Sequence, residues 1–277
     1  MLPQFYVDDL IKTALTEDIN YIDTTTDLMI PETARTKARF VAKADGVLCG
    51  LEVALRVFRL LDDTVQVTVH IPEGADVHKG DLIAEFEGYT RALLKGERTA
   101  LNLLQHMSGV ATATREAVEL VKGTRAAITD TRKTLPGMRA LQKYAVTVGG
   151  GKNHRFNLSD GAMLKDNHID AAGGIPQAVA QIRGRLGHMV KLEVETRDLH
   201  EVQQALDAGA DVIMLDNMSC EDMAQAVQLV NDRALLEASG GITAATLRAV
   251  AETGVDIISI GALTHSVTAM DISMRIG

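Results

Sequence analysis

The feature that most constrains this chain is a repeat of form. Six short β-type runs, Ala126–Asp130, Ala162–Leu164, Val190–Val194, Val212–Leu215, Ala234–Ala238 and Asp256–Ile260, each close on a polar or glycine-rich tip. Behind them stand Thr131-Arg132-Lys133, Lys165-Asp166-Asn167-His168, Glu195, Asp216-Asn217, Ser239-Gly240-Gly241 and Gly261-Ala262. From the second run onward the pattern returns roughly every 20–30 residues, with helix-like stretches between. Strand, polar tip and helix in rotation is the sequence form of an α/β barrel, which carries its chemistry at the C-terminal ends of its strands. Only six barrel strands are clear; a seventh could lie near Lys143–Val148, a segment that also fits a helix. The fold class expected is α/β, an incomplete (β/α) TIM-like barrel behind a separate N-terminal region.

The N-terminal region reads differently. Phe5–Thr16 has Val7, Leu10, Ile11, Ala14 and Leu15 at helical spacing, with Asp8 and Asp9 expected in its first turn. Ala38–Ala44 and Val65–Val69 are strand-like and flank a helical Leu51–Leu61, and Ile71–Ala84 looks like turns joining short strands. That stretch resembles a biotinyl or lipoyl carrier hairpin, but Lys43 and Lys79 lack the setting of a modifiable lysine, so a structural β-rich domain is the better reading. Arg91–Lys122 is mostly helical, with a break expected at Ser108-Gly109. Leu94, Arg98, Leu101 and Gln105 share one of its faces. Arg98 either snorkels from a core stripe or faces an anion at an interface. The tail, Thr264–Ile276, is too short for another repeat and is expected to pack back on the first domain.

Composition narrows the function. The chain has 277 residues, 46% apolar, with no tryptophan and a formal charge of −9. That charge argues against a nucleic-acid groove, but a local basic cluster can still dominate a cleft. Cys49 and Cys220 stand alone, without CxxC or metal-ligand spacing, which suits a reducing compartment. No stretch approaches the length needed to span a bilayer, and a cytoplasmic location is expected.

The strand tips supply the chemistry. Thr131, Arg132 and Lys133 follow one strand; His154 and Arg155 follow the flexible Gly149-Gly150-Gly151; Lys165 closes the next strand. Arg132, Lys133, Arg155 and Lys165 would converge on one barrel mouth, where like charges a few Å apart cost roughly a few kcal/mol. A ligand with several negative charges is the simplest offset, since Arg grips carboxylates bidentately and Lys suits phosphate. Glu195 and Asp216 end neighbouring strands. They could be a glycosidase pair, a structural answer to the cations, or ligands of a substrate-borne Mg²⁺; the basic surroundings favour the last. Ser239-Gly240-Gly241 and Ile260-Gly261-Ala262 precede helical segments and together read as a phosphate cradle. His154 and His168 have no third ligand nearby in sequence that would complete a zinc site, so they read as orienting hydrogen bonders.

These residues, with Glu97–Asn102, Thr131–Arg139, Lys165–His168, Glu193–Glu195, Met214–Asn217, Ser239–Ile242 and Gly261–His265, resemble the quinolinate phosphoribosyltransferase family over essentially the whole chain. Phe156-Asn157 departs from the Leu-Gly common there. A related group associated with molybdenum transport shares the Thr-Arg-Lys-Thr-x-Pro-Gly motif but fits the Asn153–Arg155 and Lys165–His168 segments less well. The resemblance implies an N-terminal α/β sandwich over residues 1–106, joined by the tail 266–277, and a barrel over 107–265. It implies decarboxylating transfer of phosphoribosyl from phosphoribosyl pyrophosphate to quinolinate, giving nicotinate mononucleotide for NAD biosynthesis. It also implies a homodimer with shared active sites; charge and hydropathy, for their part, lead us to expect no nucleic-acid or membrane partner. Carried over by motif, Arg132, Arg155 and Lys165, with Arg98 from the neighbouring subunit, would hold quinolinate. Lys133, Glu195 and Asp216 would engage phosphoribosyl pyrophosphate and its Mg²⁺, and Ser239, Gly240, Gly241, Ile260, Gly261 and Ala262 its 5-phosphate. Thr131 and His154 would complete the binding residues, with Lys133, Lys165, Glu195 and Asp216 the catalytic set. The alternatives are a phosphoribosyltransferase acting on another pyridine acid, or a non-catalytic phosphometabolite-binding barrel.

Overall fold

A computed structural model describes residues 2–277. Two compact units emerge from the pattern of contacts. The first contains the chain up to Arg115, together with Leu135–Gly150 and Thr264–Gly277. The second contains Glu116–Thr134 and Gly151–Leu263.

In the first unit the chain runs through α1 (Gln4–Ile19), α2 (Thr24–Met29), β1 (Arg35–Ala42), β2 (Gly46–Val47), α3 (Leu51–Leu61), β3 (Gln66–Val69), β4 (Asp76–Val77) and β5 (Leu82–Tyr89). It then enters the long α4 (Thr90–Leu120), which ends in the second unit. Helix α1 starts earlier than its aspartates suggest: Asp8 lies beyond the first turn and instead grips Arg56 of α3 at 2.7 and 2.8 Å. The apolar spacing of α3 buries Val53, Ala54, Leu55, Val57 and Phe58. Phe58 meets Phe40 of β1 and Phe86 of β5, with ring centroids 4.9–6.0 Å apart. In a chain so poor in aromatics, this cluster sits at the centre of the first unit's core.

The expected break at Ser108-Gly109 does not occur, and α4 is continuous. Both residues are contact points. Ser108 Oγ takes the Cys49 amide at 3.0 Å and donates to the Cys49 carbonyl at 3.1 Å. A Cβ on Gly109 would lie 2.2 Å from the Thr268 carbonyl oxygen, so this glycine permits close approach of the C-terminal tail.

The second unit contains β6 (Ala127–Thr129), followed by α5 (Arg139–Val148), which belongs to the first unit. The segment that could have been a seventh strand is therefore helical, in keeping with its buried Leu141, Ala145 and Val146. Then come β7 (Ala162–Leu164), α6 (Asp166–Ala172), α7 (Ile175–Arg183), β8 (Leu192–Thr196), α8 (Leu199–Asp207), β9 (Val212–Asp216) and α9 (Cys220–Val230). The chain continues through β10 (Leu235–Ser239), α10 (Ala244–Glu252), β11 (Ile257–Ser259) and α11 (Ala262–His265) to β12 (Ile272–Ile276).

The six expected barrel strands form one parallel sheet in the order β6-β11-β10-β9-β8-β7. Strands consecutive in sequence, β6 and β7, sit at opposite edges. The sheet is thus an incomplete barrel, with only an isolated bridge between Thr129 and Lys152 beyond β6. The tail behaves as expected: β12 pairs antiparallel with β1 and extends the first unit's sheet to the order β12-β1-β5-β3.

Candidate active site

The strand period of two determines what the barrel interior contains. Residues i and i+2 on a strand share a face. Glu193 and Glu195 on β8, Met214 and Asp216 on β9, and Glu237 and Ser239 on β10 therefore point the same way as Met163 and Lys165 at the end of β7. Register aligns them in rungs. Met163 pairs with Glu193, Met214 with both Glu195 and Glu237, Asp216 with Ser239, and Ser259 with Thr129. All but Glu193 and Thr129 line one cleft of about 590 Å³ at the C-terminal ends of the strands.

The expected cations come together there. Arg132, Lys133, Arg155 and Lys165 line this cleft, as do Thr131 and His154. The Thr131 hydroxyl accepts the Lys133 amide at 3.0 Å, a local turn that sets the two cations at the strand end. Lys165 lies 2.9 Å from Glu195, so part of the charge is offset within the protein rather than by a ligand alone. Arg155 is less favourably placed. Burial and then the positive charge of Arg132 press its guanidinium toward lower basicity, while Glu193 opposes them. Arg132 Nε is buried without a hydrogen-bond partner among the described residues. An anion entering here would relieve both strains.

The glycine turn is built for close approach. Gly240 and Gly241 have φ of +94° and +60°, and Ser239, Gly240 and Gly241 all line the cleft. Consecutive residues of this kind turn backbone N–H groups into a concavity that suits an anion. A Cβ on Gly240 would lie 2.3 Å from Asn217 Oδ1. Asn217 has φ +54°, donates its amide to the Ser239 carbonyl at 2.9 Å, and reaches Asp216 Oδ2 with Nδ2 at 3.0 Å. The glycine turn and the carboxylate of the preceding strand are thus mechanically linked.

Four expected site residues do not line this cleft. Arg98 is exposed on α4 in the first unit. Its exposure removes the conflict between a charge and an apolar helix face that the spacing suggested. Ile260 is buried, its amide bonded to the Thr129 carbonyl at 2.9 Å, and Gly261 and Ala262 follow at the start of α11. His168 orients its own turn, its Nδ1 accepting the Lys165 amide at 3.0 Å.

Sequence spacing gave His154 no third ligand, yet the fold supplies two carboxylates. His154 Nε2 lies 3.2 Å from Glu193 Oε2 and 3.4 Å from Glu237 Oε2. The three groups are compact enough to hold a metal ion. However, Nδ1 accepts the Arg155 amide at 2.7 Å, which leaves the ring proton on Nε2, aimed at the carboxylates. A ring so protonated donates at Nε2 and does not ligate there.

The protonation of this cluster follows from the same contact. Burial pulls the His154 imidazole down, while hydrogen bonds to Glu193 and Glu237 push it up. The Arg155 amide opposes that cation, because it occupies the place of the second ring proton. The amide decides the matter: the ring is neutral, and the spare proton stays on the carboxylates, where burial raises Glu193. The cluster's net charge is the same for either placement.

Glu237 was not singled out from sequence, and Glu193 had no role beyond its motif. Both were within reach of the period-two rule, each lying two residues before a residue already assigned to a strand end.

Comparison with known proteins places the chain. Residues 23–108 match the family model described as quinolinate phosphoribosyl transferase, N-terminal domain, and residues 110–275 match its C-terminal domain. A Bacillus subtilis protein named as a probable carboxylating nicotinate-nucleotide pyrophosphorylase is 47% identical over 260 residues, covering 94% of this chain and 90% of the relative. A mitochondrial decarboxylating quinolinate phosphoribosyltransferase of Nicotiana tabacum is 40% identical over 293 residues, covering 99% of this chain and 83% of the relative. The crystal structure of NadC from Streptococcus pyogenes superposes with a TM-score of 0.97 at 43% identity, covering 100% of this chain and 98% of that one. A parallel barrel sheet whose strand ends gather cations, carboxylates and a glycine turn, in a chain matched over residues 23–108 and 110–275 by the two family models, leaves one assignment: the chain belongs to the quinolinate phosphoribosyl transferase family.

Proposed function

We infer that this protein transfers the phosphoribosyl group of phosphoribosyl pyrophosphate to the ring nitrogen of quinolinate with loss of CO₂. The products are nicotinate mononucleotide, CO₂ and pyrophosphate, a step of NAD biosynthesis. One observation carries the reading at this site: a single cleft holds Arg132, Lys133, Arg155 and Lys165 beside Glu195, Asp216 and the 239–241 turn. A non-catalytic phosphate-binding barrel would have no need of the paired carboxylates.

In this proposal Arg132, Arg155 and Lys165 hold the two carboxylates of quinolinate. The turn at Ser239, Gly240 and Gly241 takes the 5-phosphate, and Lys133 the pyrophosphate. Glu195 and Asp216 offer carboxylate oxygens on adjacent strands and would suit a Mg²⁺ that arrives with the diphosphate and offsets its charge. The Lys165–Glu195 pair at 2.9 Å would be where the two substrate halves meet. The C1–O bond to pyrophosphate breaks and its electron pair leaves with the diphosphate; the pyridine nitrogen lone pair forms the new C1–N bond. The cationic ring nitrogen then stabilises the electron pair left on C2 as CO₂ departs, and C2 uses that pair to take up a proton. The protein's share is positioning and electrostatics.

The exposure of Arg98 on α4 is compatible with a homodimer in which it serves the partner's site. No helix is long and apolar enough to cross a membrane among the described residues, in keeping with the proposed cytoplasmic location. Turnover of quinolinate against nicotinate tests the substrate: decarboxylation and pyrophosphate release with quinolinate, and neither with nicotinate, are expected. Equal turnover of the two would overturn the reading.

A further inference from the structure

Barrel interiors are ordinarily filled by branched aliphatic side chains. Here β8 and β10 instead bury two carboxylates, with Glu193 6% and Glu237 2% exposed. Each leaves Oε1 without a hydrogen-bond partner among the described residues. Burying carboxylates in this way is expensive, and an apolar pair would fill the space at lower cost. What they contact explains their presence.

Both Oε2 atoms converge on His154 Nε2, and the opposite ring nitrogen accepts the Arg155 amide at 2.7 Å. The imidazole is therefore held at both nitrogens. Asp130 Oδ1 accepts the His154 amide at 2.9 Å and fixes the same stretch of backbone from the other side. The Arg155 guanidinium is then steered by Nη1 donating to the Gly161 carbonyl at 2.9 Å and by Nη2 against Met163 Sδ at 3.5 Å. A glutamate proton acceptor on one side of the ring thus sets what the other side can accept, and that acceptor holds the peptide from which Arg155 projects into the cleft.

We propose that Glu237 and Glu193 are positioning residues for substrate binding: by accepting the His154 Nε2 proton they keep Nδ1 as an acceptor, lock the 154–155 peptide and aim Arg155 at a ring carboxylate of quinolinate. The inference rests on the reading of Arg155 as a quinolinate contact. It assigns specificity to a tautomer set by these glutamates rather than to a direct contact with a ring carboxylate.

The test is Glu237→Gln in the full-length protein, which keeps the volume but removes the charged acceptor. KM for quinolinate should rise on the order of ten- to a hundredfold, the effect of losing a charged hydrogen-bond partner. KM for phosphoribosyl pyrophosphate and kcat should change far less, a split that general loosening of the barrel would not produce. In the unsubstituted protein, ¹⁵N spectra of His154 should show an unprotonated Nδ1 and a protonated Nε2, and Glu237→Gln should disturb that pattern. A protonated Nδ1 in the native spectrum, or an unchanged KM for quinolinate, would overturn the proposal. Should Glu237→Gln not fold, His154→Asn against His154→Ala decides it. Asn offers an oxygen near the Nδ1 position and should retain more quinolinate affinity; equal losses would count against the proposal. Arg155→Ala separates the two levels of inference. If it leaves quinolinate binding normal, the reading of the site fails; if it weakens binding while Glu237→Gln does not, only the positioning role fails.

Discussion

Replacing Gly240 by Ala tests the link between the glycine turn and Asp216. The new Cβ would stand 2.3 Å from Asn217 Oδ1, 2.5 Å from Cγ and 2.7 Å from Nδ2. Asn217 cannot retreat through its backbone, whose amide is bonded to the Ser239 carbonyl at 2.9 Å. Its side chain must swing away and release Asp216 Oδ2. Forcing an L-residue to φ +94° costs about 1–2 kcal/mol. The exposed hydrogen bond to a carboxylate adds about 1 kcal/mol, giving roughly 2–3 kcal/mol in total. Gly241→Ala is the internal control: its φ is +60°, and its nearest neighbour, Asn217 Oδ1, is 3.8 Å from the added Cβ. That variant should suffer the backbone penalty alone. Denaturant unfolding with steady-state kinetics should therefore separate the pair. Gly240→Ala should be less stable by about 1 kcal/mol and have a higher KM for phosphoribosyl pyrophosphate, with quinolinate affinity little changed. If the two variants coincide in stability and in KM, the Asn217 link has no energetic content and the reasoning fails.

Further outcomes follow from the same geometry. Changing Glu195 to Gln and Asp216 to Asn together should abolish magnesium-dependent turnover while calorimetry still detects quinolinate binding; loss of quinolinate binding with phosphoribosyl pyrophosphate binding intact would reverse the assignment. Arg155→Ala should weaken quinolinate binding by a few kcal/mol, the cost of losing a charge-assisted bond to a desolvated anion; unchanged binding by calorimetry would remove Arg155 from the site. Arg98→Ala and Lys165→Ala proteins should each be nearly inactive, and mixing them should restore activity, since one site of each mixed dimer then carries both intact residues. No recovery, with subunit exchange verified by mass spectrometry, would show that Arg98 does not serve a partner's site.

The sequence by itself determined the six barrel strands and most of the polar residues at their ends. The reason is physical: a parallel strand buried on both faces must be a short apolar run, so the polar residue that ends it marks the boundary between core and cleft. It also determined the return of the tail to the first unit. Sequence misplaced what depended on distant partners. Ser108-Gly109 has the composition of a helix break, yet it exists to contact Cys49 and the Thr268 carbonyl, residues far away in the chain. Asp8 has the position of a helix-start acid, but its partner is Arg56. The segment around Lys143–Val148 was ambiguous between strand and helix, and only packing resolved it. Above all, tertiary structure joined Glu193, Glu237 and His154, because β8 and β10 are separated by β9 and the histidine arrives from a loop before β7. Local pattern specifies which face of a strand a side chain occupies; which other side chains share that face is decided when the sheet assembles.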